Sequence, residues 1–146
     1  MKREVLRTIV VILVLTICTT SIIYATSINP QASKYLDRYS ANIHSEGDGD
    51  ISIWFEVEAT GRMSEIGALS ISLQQLSNDS STWKTIKTFN HTDYSNMIAN
   101  DKSIYASNVD YSGIDGYSYR AYVTIWAGKD GNGDSRELLT NTIIAK

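Results

Sequence analysis

Residues Ile51 to Ala59 alternate without a break: Ile51, Ile53, Phe55, Val57 and Ala59 share one phase, and Ser52, Trp54, Glu56 and Glu58 share the other. A period of two puts successive side chains on opposite sides of an extended chain, so this segment reads as a strand with the first set inward. A strand with one dry face needs a second layer to cover it.

Further strand-like segments follow the same logic, separated by turn residues. The first runs from about Tyr35 to His44, with Tyr35, Tyr39, Ala41 and Ile43 mostly in one phase. Glu46-Gly47-Asp48-Gly49-Asp50 turns the chain into Ile51–Ala59. Gly61 to Gly67 reads as a loop with room for a helical turn. The third strand, Leu69 to Leu76, points Leu69, Ile71 and Leu73 inward, and Ser77 to Ser81 is a turn. A fourth strand spans about Thr82 to Phe89, and the longest loop runs from His91 to Lys102. Ile104–Tyr111, Tyr117–Ala127 and Arg136–Ile144 complete a set of about seven, with Gly128 to Asp134 as the last hairpin.

This pattern predicts an all-β, antiparallel β-sandwich. Asp115-Gly116-Tyr117-Ser118-Tyr119 narrows it, because immunoglobulin-like sandwiches often place a Tyr at the start of the penultimate strand, its hydroxyl bonded back to the preceding turn. Tyr119 fits best, since Ala121, Val123 and Ile125 share its inward phase; Tyr117 is the alternative. The expected architecture is therefore an immunoglobulin or fibronectin type III-like sandwich, with another sandwich topology as the runner-up.

The N-terminus carries an address. Lys2, Arg3 and Arg7 precede the apolar run Thr8 to Ile17, a more polar stretch from Cys18 to Ser21 follows, and Ile23-Tyr24-Ala25 offers a cleavage site. Residues 1–25 read as a secretory signal peptide, 26–33 as a linker around Pro30, and 34–146 as the domain. An N-terminal membrane anchor is the alternative, although Thr8–Tyr24 is shorter and more polar than the roughly 20 apolar residues of a spanning helix. Bulky Ile17 before Cys18 argues against lipid attachment. The expected location is secreted, with membrane contact only through the signal peptide before cleavage.

Cleavage would remove 25 of 146 residues and leave 121, enough for one domain with a core of its own. Lys+Arg would fall from 13 to 10 and Asp+Glu from 16 to 15, a net charge near −5. No basic cluster remains, so nucleic acid is not an expected partner. Cys18 is the only cysteine and would leave with the leader, so neither a disulfide nor a thiolate site is available.

The chemical motifs are incomplete. Asp130, Asn132 and Asp134 match the opening of a calcium loop, but Ser135 and Asn141 stand where that loop wants Gly and Glu. The same composition serves a plain hairpin, and the acidic turn Glu46–Asp50 would lie at the opposite end of the sandwich. Glu56 and Glu58 stand ~7 Å apart, a spacing any two such residues on a strand would have. Ser81-Thr82-Trp83-Lys84 matches S-x-x-K, but it precedes a strand in a chain too short for that hydrolase fold. His44 and His91 are isolated. No nucleophile–base set emerges, so the expectation is a protein that is not an enzyme and uses no cofactor.

Binding features are better marked. Tyr122 and Trp126 share the outward phase of the sixth strand, about 13 Å apart, as a row that could stack on sugars or anchor a protein. Long neighbours such as Arg120, Lys84 or Lys87 could instead cover them. In a fibronectin-like topology the loops 61–67, 91–102 and 128–135 gather at one end and offer Arg62, Met63, Glu65, Tyr94, Met97, Lys129, Asp130 and Asp134. Met97 and Ile98 could alternatively pack the long loop over the sandwich end.

Met63-Ser64-Glu65-Ile66-Gly67-Ala68 and Ser81 to Phe89 (STWKTIKTF), with Met97, Tyr117-Ser118-Tyr119-Arg120-Ala121, Ala127-Gly128-Lys129 and Gly133-Asp134-Ser135-Arg136, carry a resemblance. The ordered set resembles a family of small secreted Gram-positive bacterial proteins of unknown function. The resemblance implies export, one β-domain and no assigned activity, and it supplies no ligand residues. It draws attention to the loop end, where a Glu65–Arg136 or an Asp134–Arg62 contact is expected. The leading functional expectation is an exported, non-enzymatic module that binds an extracellular glycan or protein. A self-associating envelope protein and a secreted toxin or antimicrobial are the alternatives.

Overall fold

The computed structural model describes residues 33–77 and 81–146, all within the compact unit Ala32–Lys146. The expected signal peptide and all of the linker but Ser33 lie outside the described residues. The chain forms β1 (Leu36–Gly47), β2 (Asp50–Met63), β3 (Glu65–Leu76), β4 (Trp83–Asn90), β5 (Ile98–Ala99), β6 (Lys102–Ser112), β7 (Ser118–Lys129), β8 (Asn132–Leu139) and β9 (Ile143–Ile144). A 3₁₀ turn, Ser95–Met97, is the helical element among the described residues. No helix there is long and apolar enough to cross a membrane.

All pairings are antiparallel, in two sheets. The first has the order β1-β2-β6 and the second β4-β3-β7-β8, with β5 added to β3 and β9 to β7. The alternation in β2 has the expected result: Ile51, Ile53, Phe55 and Val57 are fully buried. They meet Ile71 and Leu73 of β3 and Tyr119, Ala121, Val123 and Ile125 of β7 in one core. Burial of these apolar faces between two sheets is the main favourable term available to a domain without disulfides.

The β1–β2 and β7–β8 connections are two-residue hairpins, because Gly47 pairs with Asp50 and Lys129 with Asn132. Asp48 and Asp130 have φ of 52° and 54°, followed by Gly49 at 86° and Gly131 at 78°. Positive φ at both central residues is the type I′ turn, for which Asp-Gly is a preferred pair.

Three expectations need correction. Residues 61–67 are not a loop: β2 continues to Met63 and β3 begins at Glu65. The chain changes sheets here, its pairing with β6 shifting between Glu58 and Met63, so the regular alternation that marks a strand is interrupted. The seventh strand does not run unbroken to Ile144. It leaves the sheet at Thr140, whose hydroxyl accepts from the Ala121 amide at 2.9 Å. Asn141 then crosses to β1, accepting from the Ile43 amide at 3.0 Å and donating to its carbonyl at 3.1 Å. Third, Leu69 is only half-buried, because the β3–β7 register shifts between Ala68 and Ser70. Its carbonyl accepts from the His91 amide at 3.0 Å and lies 3.1 Å from His91 Nδ1, which gives that histidine a structural role at the bulge.

Candidate functional site

The outer face of the second sheet is set by β7. Inward Tyr119, Ala121, Val123 and Ile125 leave Arg120, Tyr122, Thr124 and Trp126 on the opposite face, all half-buried. On the β3 side these residues stand opposite Gln74, Ser72, Ser70 and Gly67. On the β8 side Tyr122, Thr124 and Trp126 stand opposite Leu139, Glu137 and Ser135. The surface is thus rich in hydroxyls, and Ser70 Oγ donates to Thr124 Oγ1 at 3.2 Å.

At one end of this face Arg120 is held between rings. Its guanidinium carbon lies 4.2 Å from the Trp83 ring centroid and 5.8 Å from that of Tyr122. Its Nε donates to Gln74 Oε1 at 2.9 Å. Tyr122 is therefore partly covered by Arg120, as one of the two readings anticipated. Trp83 was not singled out in the sequence as part of this group, because only the β3–β4 register, which sets Trp83 opposite Leu76, brings it there.

Trp126 lies at the other end and is seated differently. A Cβ added at Gly128 would come within 2.6 Å of the indole, and one at Gly133 within 2.5 Å. The ring occupies space that two missing side chains leave open. Its Nε1 is buried without a hydrogen-bond partner among the described residues. Beyond it opens a depression of about 480 Å³, also lined by Ser64, Glu65, Asn100, Asp130 and Asn132. The segments 61–67, 91–102 and 128–135 meet here, although the first is strand and not loop: Asp130 N donates to Ser64 Oγ at 3.4 Å, and Arg62 Nη2 donates to Asp101 Oδ2 at 2.8 Å.

The remaining loop-end residues have structural partners. The Asp134–Arg62 contact does not form; Arg62, near the end of β2, pairs with Asp101 in the β5–β6 connection. That pair holds the Arg62 pKa above and the Asp101 pKa below the ordinary value, chiefly through their hydrogen bond. Asp134 accepts from Ser33 Oγ at 2.5 Å and from the Tyr35 amide at 3.1 Å. These bonds, the Ser33 hydroxyl first, hold its carboxyl below the usual range. Glu65 stands opposite Gly128 and Arg136 opposite Ile125, three positions apart on β7, which assigns them to opposite faces of the sheet. Arg136 Nη1 donates to the Ser135 carbonyl at 2.8 Å. Tyr94 packs edge-on against Phe89, with centroids 5.1 Å apart, and belongs with the core.

The calcium-like trio does not converge. Asp130 forms the type I′ turn, Asn132 Nδ2 donates back to the Asp130 carbonyl at 3.3 Å, and the Asp134 carboxylate faces Ser33. Among the described residues no group of three or more His, Cys, Asp or Glu side chains could hold a metal ion. On the first sheet, Glu46, Asp50, Asp110 and Asn108 line an open acidic depression of about 560 Å³. Asn108 Nδ2 there donates to Ser52 Oγ at 3.1 Å and Asp110 Oδ1 at 2.8 Å. Glu58 lies 3.7 Å from Arg38, and Glu56 is exposed beside it. No family model and no curated protein matches this sequence.

Proposed function

We propose that this chain is an exported, non-enzymatic binding module of fibronectin type III-like topology, and that its outer aromatic face takes an extracellular glycan. The three-plus-four strand order, with β3 and β7 central in the larger sheet, supports that topology. So does Tyr119, whose fully buried hydroxyl accepts from the Ile114 amide at 2.9 Å. The N-terminal charge and hydropathy pattern supports export, as does the resemblance to small secreted Gram-positive proteins.

One observation carries the binding reading. Half-buried Trp83, Tyr122 and Trp126 stand on one sheet face among Ser, Thr and Gln side chains. Apolar ring surface beside hydroxyl and amide groups suits a sugar, which presents both kinds of surface. A glycan array probed with the purified chain is expected to show binding that falls at least tenfold in Trp126→Ala and in Tyr122→Ala. Absence of any glycan signal, with a protein recovered instead by pull-down through the same residues, would replace glycan by protein as the ligand. A self-associating envelope role is the second reading, favoured by Ile104, Ile114, Leu139 and Ile144, each about half exposed. Sedimentation showing only monomer at high concentration would remove it.

A further inference from the structure

Arg120 is the one described cation on the outer face of the second sheet that stands between two rings. Trp83 and Tyr122 flank its guanidinium, and Gln74 takes its Nε hydrogen. No carboxylate among the described residues pairs with it, and Nη1 and Nη2 have no acceptor there. A guanidinium fixed in this way has already lost much of the freedom that binding would otherwise remove. Its open edge is a two-donor fork, whose geometry matches the two oxygens of a carboxylate.

We propose that Arg120 anchors the ligand of this face, and that the ligand is a carboxylate-bearing glycan, a polymer of uronic-acid type. This rests on the glycan reading above and specifies its chemistry. A single fixed guanidinium suits a monoanion. A phosphate, with more charge, calls for a cluster of cations, and the nearby lysines do not supply one. Lys84 and Lys87 stand opposite Gln75 and Leu73, in the other phase of β3, and Lys87 Nζ lies 5.6 Å from the Phe89 ring. Glu137, opposite Thr124, and Glu65, opposite Gly128, are the acidic residues that the register places on this face, and neither pairs with Arg120. An acidic peptide fits less well. β3 and β7 are paired on both sides, so an extended peptide could add a strand only at β4 or β8, the ends of the sheet, and not beside Arg120 on β7. Recognition there must go through side chains, and the Ser70, Ser72 and Thr124 hydroxyls flank the rings.

The test titrates the full chain with polygalacturonate and with its fully methyl-esterified form, following tryptophan fluorescence. The esterified polymer keeps the sugar backbone and loses the charge. Preference for the charged polymer is expected, and Arg120→Gln and Arg120→Lys should weaken its binding by about ten- to a hundredfold. Lys keeps the charge but not the fork, so its failure to substitute would identify bidentate recognition. Equal binding of both polymers, unchanged in the Arg120 variants, would overturn the carboxylate inference and leave the glycan reading standing. Binding of polyglutamate but neither polysaccharide would overturn the glycan source. No binding of any of the three would overturn the inference, while the array with neutral glycans decides the broader reading separately. Circular dichroism reports whether each variant folds. Gln74→Ala, which frees the guanidinium without removing it, gives a second reading of the same preference and should reduce it.

Discussion

Tyr119 joins three parts of the molecule through one oxygen. Its ring is fully buried, and its hydroxyl accepts from the Ile114 amide and from Gln75 Nε2, each at 2.9 Å. Tyr119→Phe keeps the ring and leaves two donors without that acceptor, which should lower stability by about 1–3 kcal/mol in urea denaturation. Asp134 plays a comparable part at the start of the domain, where its carboxylate receives the Ser33 hydroxyl and the Tyr35 amide. These bonds lower its folded-state pKa. Its contribution is therefore complete above the ordinary carboxyl value of about 3.9 and is lost as the pH falls through the lowered folded value. Asp134→Ala should accelerate hydrogen exchange at the Tyr35 and Leu36 amides at pH 6. Wild type and variant should converge only in strong acid.

At the scale of elements, the decisive events are places where strands approach or change sheets. β5 lies so close to β3 that a Cβ on Gly67 would come 2.1 Å from the Met97 carbonyl oxygen, and Gly67 has φ of +150°. Gly67→Ala should therefore cost more than about 1 kcal/mol by thermal melting. It should also release the 3₁₀ turn, visible as faster exchange at the Met97 amide, which now donates to Tyr94 O at 3.0 Å. Each edge strand of the first sheet is capped at one residue by a side chain. Asn141 bridges Ile43 on β1, and Asn96 Nδ2 donates to the Asn108 carbonyl on β6 at 2.8 Å. Such caps limit the strand-to-strand association that an open edge invites. Neither cap was legible beforehand, because each joins residues distant in sequence through a loop whose path follows no period.

At the largest scale, the stability of the described domain rests on the core between its two sheets. Phe55 is fully buried at its centre and meets Tyr105 edge-on at 6.2 Å. Phe55→Ala should remove about 3–5 kcal/mol, a large part of the 5–15 kcal/mol typical of a domain, and both sheets should melt in one transition followed by far-ultraviolet circular dichroism. That core was the most legible property of the chain, with Ile53, Val57, Leu73, Val123 and Ile125 all in their expected inward phases. The candidate site was legible only in part. Tyr122 and Trp126 could be placed on an outer face by counting along one strand. Trp83 could not join them until the β3–β4 register was known.

Local chemistry by itself determined the β class, the inward phase of the central strands and the Asp-Gly turns, because periodicity and turn preference act between near neighbours. Tertiary structure alone decided which strands pair, where the chain changes sheets and what each exposed ring touches. Those outcomes depend on registers between distant segments, and a shift of one residue would have turned every side chain of a strand to the other face. The guanidinium of Arg120 lying beside Trp83 and Tyr122 is of this second kind: an unremarkable R-x-Y on one strand meets a second ring only when another strand brings a tryptophan beside it.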